Sequence, residues 1–115
     1  MASIDCLLDR EYDETNYNCR HFAGDAWEFL TGDDRLRRVN ERDMKAGATA
    51  ALFRGLKRVN GPTDAPSIVL MDNLNGDSHL GVCYQRRLLH LTESAPQFVP
   101  MDAVTPMYRN LRFYA

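Results

Sequence analysis

A chain of 115 residues, 44% hydrophobic and 26% charged, has room for one globular domain built on one core. Its net charge of −2, with acidic and basic residues interleaved, argues against a nucleic-acid partner, and Arg35-Leu36-Arg37-Arg38 and Arg86-Arg87 read as solvated loop charge. No apolar run approaches the roughly 20 residues that cross a bilayer, so no membrane span is expected.

Met1-Ala2-Ser3-Ile4-Asp5 lacks the basic start and apolar block of a signal peptide, which predicts that the protein starts life in a cytoplasm. A reducing compartment disfavours disulfides, and Cys6, Cys19 and Cys83 cannot all pair.

In chain order, Ile4 to Arg10 is expected to form a short helix with Ile4, Leu7 and Leu8 on one side and Cys6 in the core. Glu11 to Asn16 reads as a loop. Asn18 is a good N-cap, because its side-chain oxygen accepts an orphan backbone N–H. The helix opened by Cys19 presents Phe22, Ala23, Ala26, Trp27, Phe29 and Leu30 on one broad face and ends at Gly32. Asp33 to Arg42 is highly charged and reads as a surface connection. Ala48, Leu52, Leu56 and Val59 recur at helical spacing, predicting a second long helix over Met44 to Val59, stopped by Asn60-Gly61-Pro62.

The periodicity then changes. Ser67 to Met71 suits a buried strand, and Asn75-Gly76-Asp77 is turn chemistry. His79 to Tyr84 and Leu88 to Thr92 read as a hairpin around Gln85-Arg86-Arg87, with weaker strands at Gln97 to Val99 and Leu111 to Tyr114. Helices followed by a meander of strands indicate an α+β fold, with residues 1–115 as a single domain.

Three residues carry the candidate chemistry. The thiolate of cysteine, not the thiol, is the strong nucleophile, and a helix N-terminus favours the anion through unpaired N–H groups and a positive dipole end. Cys19 occupies that position. His79, on the hairpin, is the candidate base. An even-numbered hairpin loop leaves two registers: one sets His90 opposite Gly81, diagonal to His79, and the other sets it opposite His79. Both place the two histidines on one face, so His90 is the candidate third group that orients the base. A three-residue loop would put His90 on the far face. Gly81, on the shared face, leaves room for a backbone or substrate to approach. The Cys19 backbone N–H and the hydroxyl of Tyr12 or Tyr17 are the candidate oxyanion donors. Cys19 with His21 makes a poor ligand spacing for a closed zinc site, so no metal or cofactor is expected. Taken singly, Cys19 reads as a buried core cysteine, His79 as a hydrogen-bonded structural histidine and His90 as a solvent-facing strand residue; their occurrence together in this order favours a site.

These residues resemble the NlpC-type papain-like cysteine peptidases, a family that includes bacterial cell-wall endopeptidases and peptidase components of phage tails. Tyr17-Asn18-Cys19 matches its aromatic, small polar, cysteine opening of a helix. His79-Leu80-Gly81-Val82-Cys83-Tyr84 is similar to its His-Val-Gly-Ile-Tyr strand, and Leu88-Leu89-His90-Leu91 to its Leu-Ile-His-Ala strand. Arg20-His21 stands where the family often has Ser-Gly, and Ala65-Pro66-Ser67 where it has Gly-Asp. The resemblance implies a papain-like fold and a Cys19–His79–His90 triad cleaving amide bonds of peptidoglycan stem peptides. It also implies a virion-tail location, with other tail or baseplate proteins as partners. The alternative is a structural or tail-assembly protein on the same fold with a silent cleft.

Overall fold

The computed structural model describes residues 4–42 and 46–115. The chain enters through a short 3₁₀ turn, Ile4–Leu7, rather than a helix reaching Arg10. Leu7 is buried there and Cys6 is exposed, so Cys6 is not the core residue its neighbours suggest.

Helix α1 (Cys19–Thr31) starts at Asn18, whose side-chain oxygen accepts the Arg20 N–H at 3.0 Å while the Asn18 N–H donates to His21 Nδ1 at 3.1 Å. The two residues thus cap the helix reciprocally. Gly32, at φ 79°, closes it in the left-handed conformation that glycine adopts without strain. The predicted surface connection is instead helix α2 (Arg35–Arg42). Asp33 accepts the Arg35 N–H at its start, and Leu36, 1% exposed, anchors it to the core.

The long helix expected over Met44 to Val59 is shorter. Helix α3 spans Ala46–Gly55, and Arg58–Val59 form strand β1 instead, because they pair with the C-terminal strand. Met44 and the side chain of Ala48 lie outside the described residues.

Five further strands follow: β2 (Ser67–Asn73), β3 (Ser78–Tyr84), β4 (Arg87–Leu91), β5 (Pro96–Pro100) and β6 (Tyr108–Tyr114), with a short helix α4 (Met101–Val104) between the last two. They form one antiparallel sheet in the order β1-β6-β2-β3-β4-β5. The fold is α+β, as expected. No described helix is long and apolar enough to cross a membrane.

The alternation of β-strand side chains divides the core in two. On one face Ile68, Leu80, Val82, Leu89 and Leu91 pack under Phe22, Ala23, Ala26 and Trp27 of α1. Burying Phe22 alone contributes about 1.5–3 kcal/mol. On the other face Val69, Met71, Cys83, Leu88 and Phe113 pack with Met101 and Val104 of α4. His79 belongs to this second face, because it pairs with Met71.

Two irregularities set what meets at one end of the sheet. The β3–β4 turn is two residues long, Gln85 and Arg86, at φ 54° and 60°. Left-handed conformations at both positions define the tight hairpin turn that matches strand twist. Its N–H groups donate to Asp64 and Thr63 carbonyls at 2.8 and 2.9 Å, which holds a turn that Gln and Arg do not favour by themselves. The register that results, Tyr84 with Arg87 and Val82 with Leu89, selects one of the two expected pairings, the one with His90 diagonal to His79.

The second irregularity is a bulge in β6. Leu70 pairs with Arg112 but Asp72 pairs with Arg109, so one extra residue sits on β6 opposite Met71, and Asn110 takes φ 58° there. The bulge inverts side-chain parity, so that Tyr108 lies on the same face as Leu111 and Phe113.

A candidate thiol–imidazole active site

The ends of β2 and β4, the starts of β3 and β6 and the first turn of α1 converge at one end of the sheet. They enclose a cleft of about 300 Å³ lined by Cys19, His79, Tyr108, Tyr12, Asn18 and Glu93, among others. Cys19 and His79, far apart in sequence, therefore share one cleft. The β3–β4 ladder stops at Val82–Leu89, although β3 runs back to Ser78 and β4 on to Leu91. Beyond that pair the backbone N–H of Leu80 favours the Cys19 thiolate, as do those of Cys19 and Arg20 at the helix start.

His90 lies behind His79. It is 1% exposed, and its Nδ1 is 2.8 Å from His79 Nε2. Its own Nε2 faces the side-chain oxygen of Gln97 at 3.3 Å. The ring of Tyr108 stacks on His79, with centroids 5.0 Å apart and planes 9° from parallel. Gly81 makes the pair of histidines possible in a different way from the one its sequence position suggests. A Cβ there would lie 2.8 Å from Leu88 Cδ1 and 3.1 Å from both His90 Cβ and the Leu89 carbonyl, so the space is occupied by the neighbouring strand and not left open for a substrate.

The electrostatics revise one expectation. The helix start does favour the Cys19 thiolate through the N–H groups of Arg20 and Cys19, and the Leu80 N–H of β3 and the Arg20 charge add to it, but burial outweighs them all and pushes the thiol above its ordinary value. Burial, with the neighbouring His90, lowers His79 to about 4. Burial also lowers His90, partly offset by its bond to Gln97. At neutral pH the pair is therefore thiol and neutral imidazole, so a proton has to move as the sulfur attacks. Burial and then the Cys19 charge raise the Tyr108 hydroxyl.

Of the two candidate tyrosines, Tyr12 lines the cleft and Tyr17 does not contribute: its hydroxyl donates to Asp25 at 2.6 Å. His21 is occupied by the helix cap and stacks on Tyr17. Cys83 is fully buried, with its sulfur 3.4 Å from the Thr63 N–H. Among the described residues no group of three or more His, Cys, Asp or Glu side chains is arranged to hold a metal ion. Arg20, although next to Cys19, does not line the cleft.

Sequence reasoning missed Tyr108, Gln97 and the Leu80 N–H. Gln97 was legible only as a strand residue, and nothing local marks Tyr108, because the bulge decides which way it faces. Comparison with protein-family models, with curated proteins and with solved structures finds no match to this chain.

Proposed function

We propose that the chain is a papain-like thiol hydrolase of the NlpC type that cleaves amide bonds in peptidoglycan stem peptides as part of a phage tail. The observation that carries this reading is the convergence of Cys19 and His79 on one open cleft, with His90 2.8 Å behind the imidazole. The motif resemblance of the two histidine strands and the cysteine helix supplies the family and the substrate class.

In the proposed reaction the Cys19 sulfur attacks the amide carbonyl while His79 takes the thiol proton. The Cys19 backbone N–H and the Tyr12 hydroxyl stabilise the oxyanion. The proton passes from His79 to the departing amine as the C–N bond breaks, leaving a thioester on Cys19. Water, deprotonated by His79, then releases the acid and restores the thiol. His90 holds the His79 ring through the reaction. Among the described residues Glu93 is the one carboxylate lining the cleft, and it suits the ammonium group of the diamino acids that stem peptides carry.

Cys19→Ala tests the assignment. Turnover of purified cell wall should vanish while the circular-dichroism spectrum and melting temperature hold; undiminished turnover refutes it.

A second reading is favoured by the burial that raises the Cys19 thiol. A tail-assembly protein on the same fold, with a silent cleft, would form a stable complex with other tail proteins. Its Cys19 would resist iodoacetamide near neutral pH and it would turn over no cell wall, whereas rapid labelling of Cys19 contradicts it.

A further inference from the structure

We infer that Gln97 is a positioning residue that sets the proton arrangement of both histidines, so that His79 presents an unprotonated Nδ1 to the cleft. The inference deepens the hydrolase reading and rests on it for its catalytic meaning, but the proton arrangement itself does not depend on any substrate.

The argument runs outward from the edge of the sheet. Strand β5 lies at that edge, and its Gln97 pairs directly with His90 of β4. The side-chain oxygen of Gln97 faces His90 Nε2 at 3.3 Å. An amide oxygen only accepts, so His90 Nε2 carries a proton and donates. A neutral imidazole has one N–H, which leaves His90 Nδ1 with a lone pair. That nitrogen is 2.8 Å from His79 Nε2, so His79 Nε2 must be the donor of the second bond. His79 is neutral in its buried setting, and its Nδ1 therefore holds the lone pair that a general base needs.

The opposite orientation of one amide would reverse the whole chain. A Gln97 amine donating to His90 Nε2 would move the His90 proton to Nδ1 and the His79 proton to Nδ1. His79 would then present a donor where the reaction requires an acceptor. His90 alone cannot choose between these states, because either of its nitrogens can donate or accept. The choice is made by a neutral side chain on β5, a strand that contributes nothing else to the chemistry proposed above. Tyr108 does not compete for either ring nitrogen, since it meets His79 by ring stacking.

The experiment reads imidazole tautomers directly, by two-bond ¹H–¹⁵N correlation on the full chain at pH 7.5 with uniform ¹⁵N labelling. His79→Gln and His90→Gln variants assign the signals. The wild type should show both His79 and His90 as Nε2–H tautomers. Gln97→Leu should lower the Nε2–H share of His90 from nearly all to about half, and lower kcat on cell wall with KM unchanged. Gln97→Glu, whose carboxylate can only accept, should keep the Nε2–H tautomers. An Nδ1–H tautomer on His79 in the wild type, or tautomers unmoved by Gln97→Leu, overturns the inference. The tautomer reading stands whether or not the Cys19→Ala experiment supports hydrolysis, so the two proposals fail separately.

Discussion

Strand β3 has two ends with opposite characters. At the Cys83 end the ladder to β4 is complete, the turn is two residues long, and the thiol is buried between Val69, Met71 and Leu88 and held at the Thr63 backbone. At the His79 end the ladder to β4 has stopped, a cleft opens, and a second thiol, that of Cys19, shares the cleft with an imidazole. The closed end fixes the register, and the register brings His90 behind His79 at the open end. The same cysteine chemistry is therefore inert packing at one end and a candidate nucleophile at the other.

The largest expected effect separates the two ends by pH. The ordinary value of a histidine is 6.5, and His79 in the folded chain lies at about 4. Above pH 6.5 the ring is neutral in both folded and unfolded chains, and stability is at its full value. Between pH 6.5 and 4 the unfolded chain takes up a proton that the folded chain refuses, so stability falls, by up to roughly 3 kcal/mol. Urea unfolding across this range checks it, and a flat profile would show that the open end is not buried as described.

Gly81→Ala tests the close approach that seats His90. The added Cβ meets a backbone oxygen and two side chains, so a loss of about 1–3 kcal/mol is expected, with turnover falling further than stability because His90 is displaced from His79. Asn110→Val should cost about 1–2 kcal/mol, since a β-branched residue at φ 58° is strained. It should also disturb the stacking of Tyr108 on His79, visible as a shift of the His79 ring signals. At the closed end, replacing Gln85-Arg86 with Asn-Gly supplies residues that prefer the left-handed turn and should stabilise by about 1 kcal/mol without changing turnover. An equal change in turnover would mean that the turn does more than set register.

Local signals made α1, its cap at Asn18 and the shared face of the two histidines legible, because each rests on neighbours in sequence. The hairpin register stayed open between two pairings, since Gln85-Arg86 carries none of the glycine or asparagine that announces a tight turn. Helix α2 was hidden by its charges: Asp33 accepts the Arg35 N–H at its start, and Leu36 is its buried apolar anchor among the described side chains. Arg58–Val59 carried helical spacing, but pairing with Phe113 and Tyr114 of β6 overrode it. The side of the sheet that Tyr108 faces depends on a bulge, and the burial that raises the Cys19 thiol depends on strands some sixty residues away. Neither is written in local pattern.

The most direct test of the central claim is to trap the acyl intermediate. Rapid acid quench of wild-type protein turning over peptidoglycan fragments, followed by peptide mapping, should find a thioester adduct on the peptide containing Cys19 and none on Cys6 or Cys83. Turnover that proceeds with no adduct on Cys19, or with the adduct on another residue, would contradict the account.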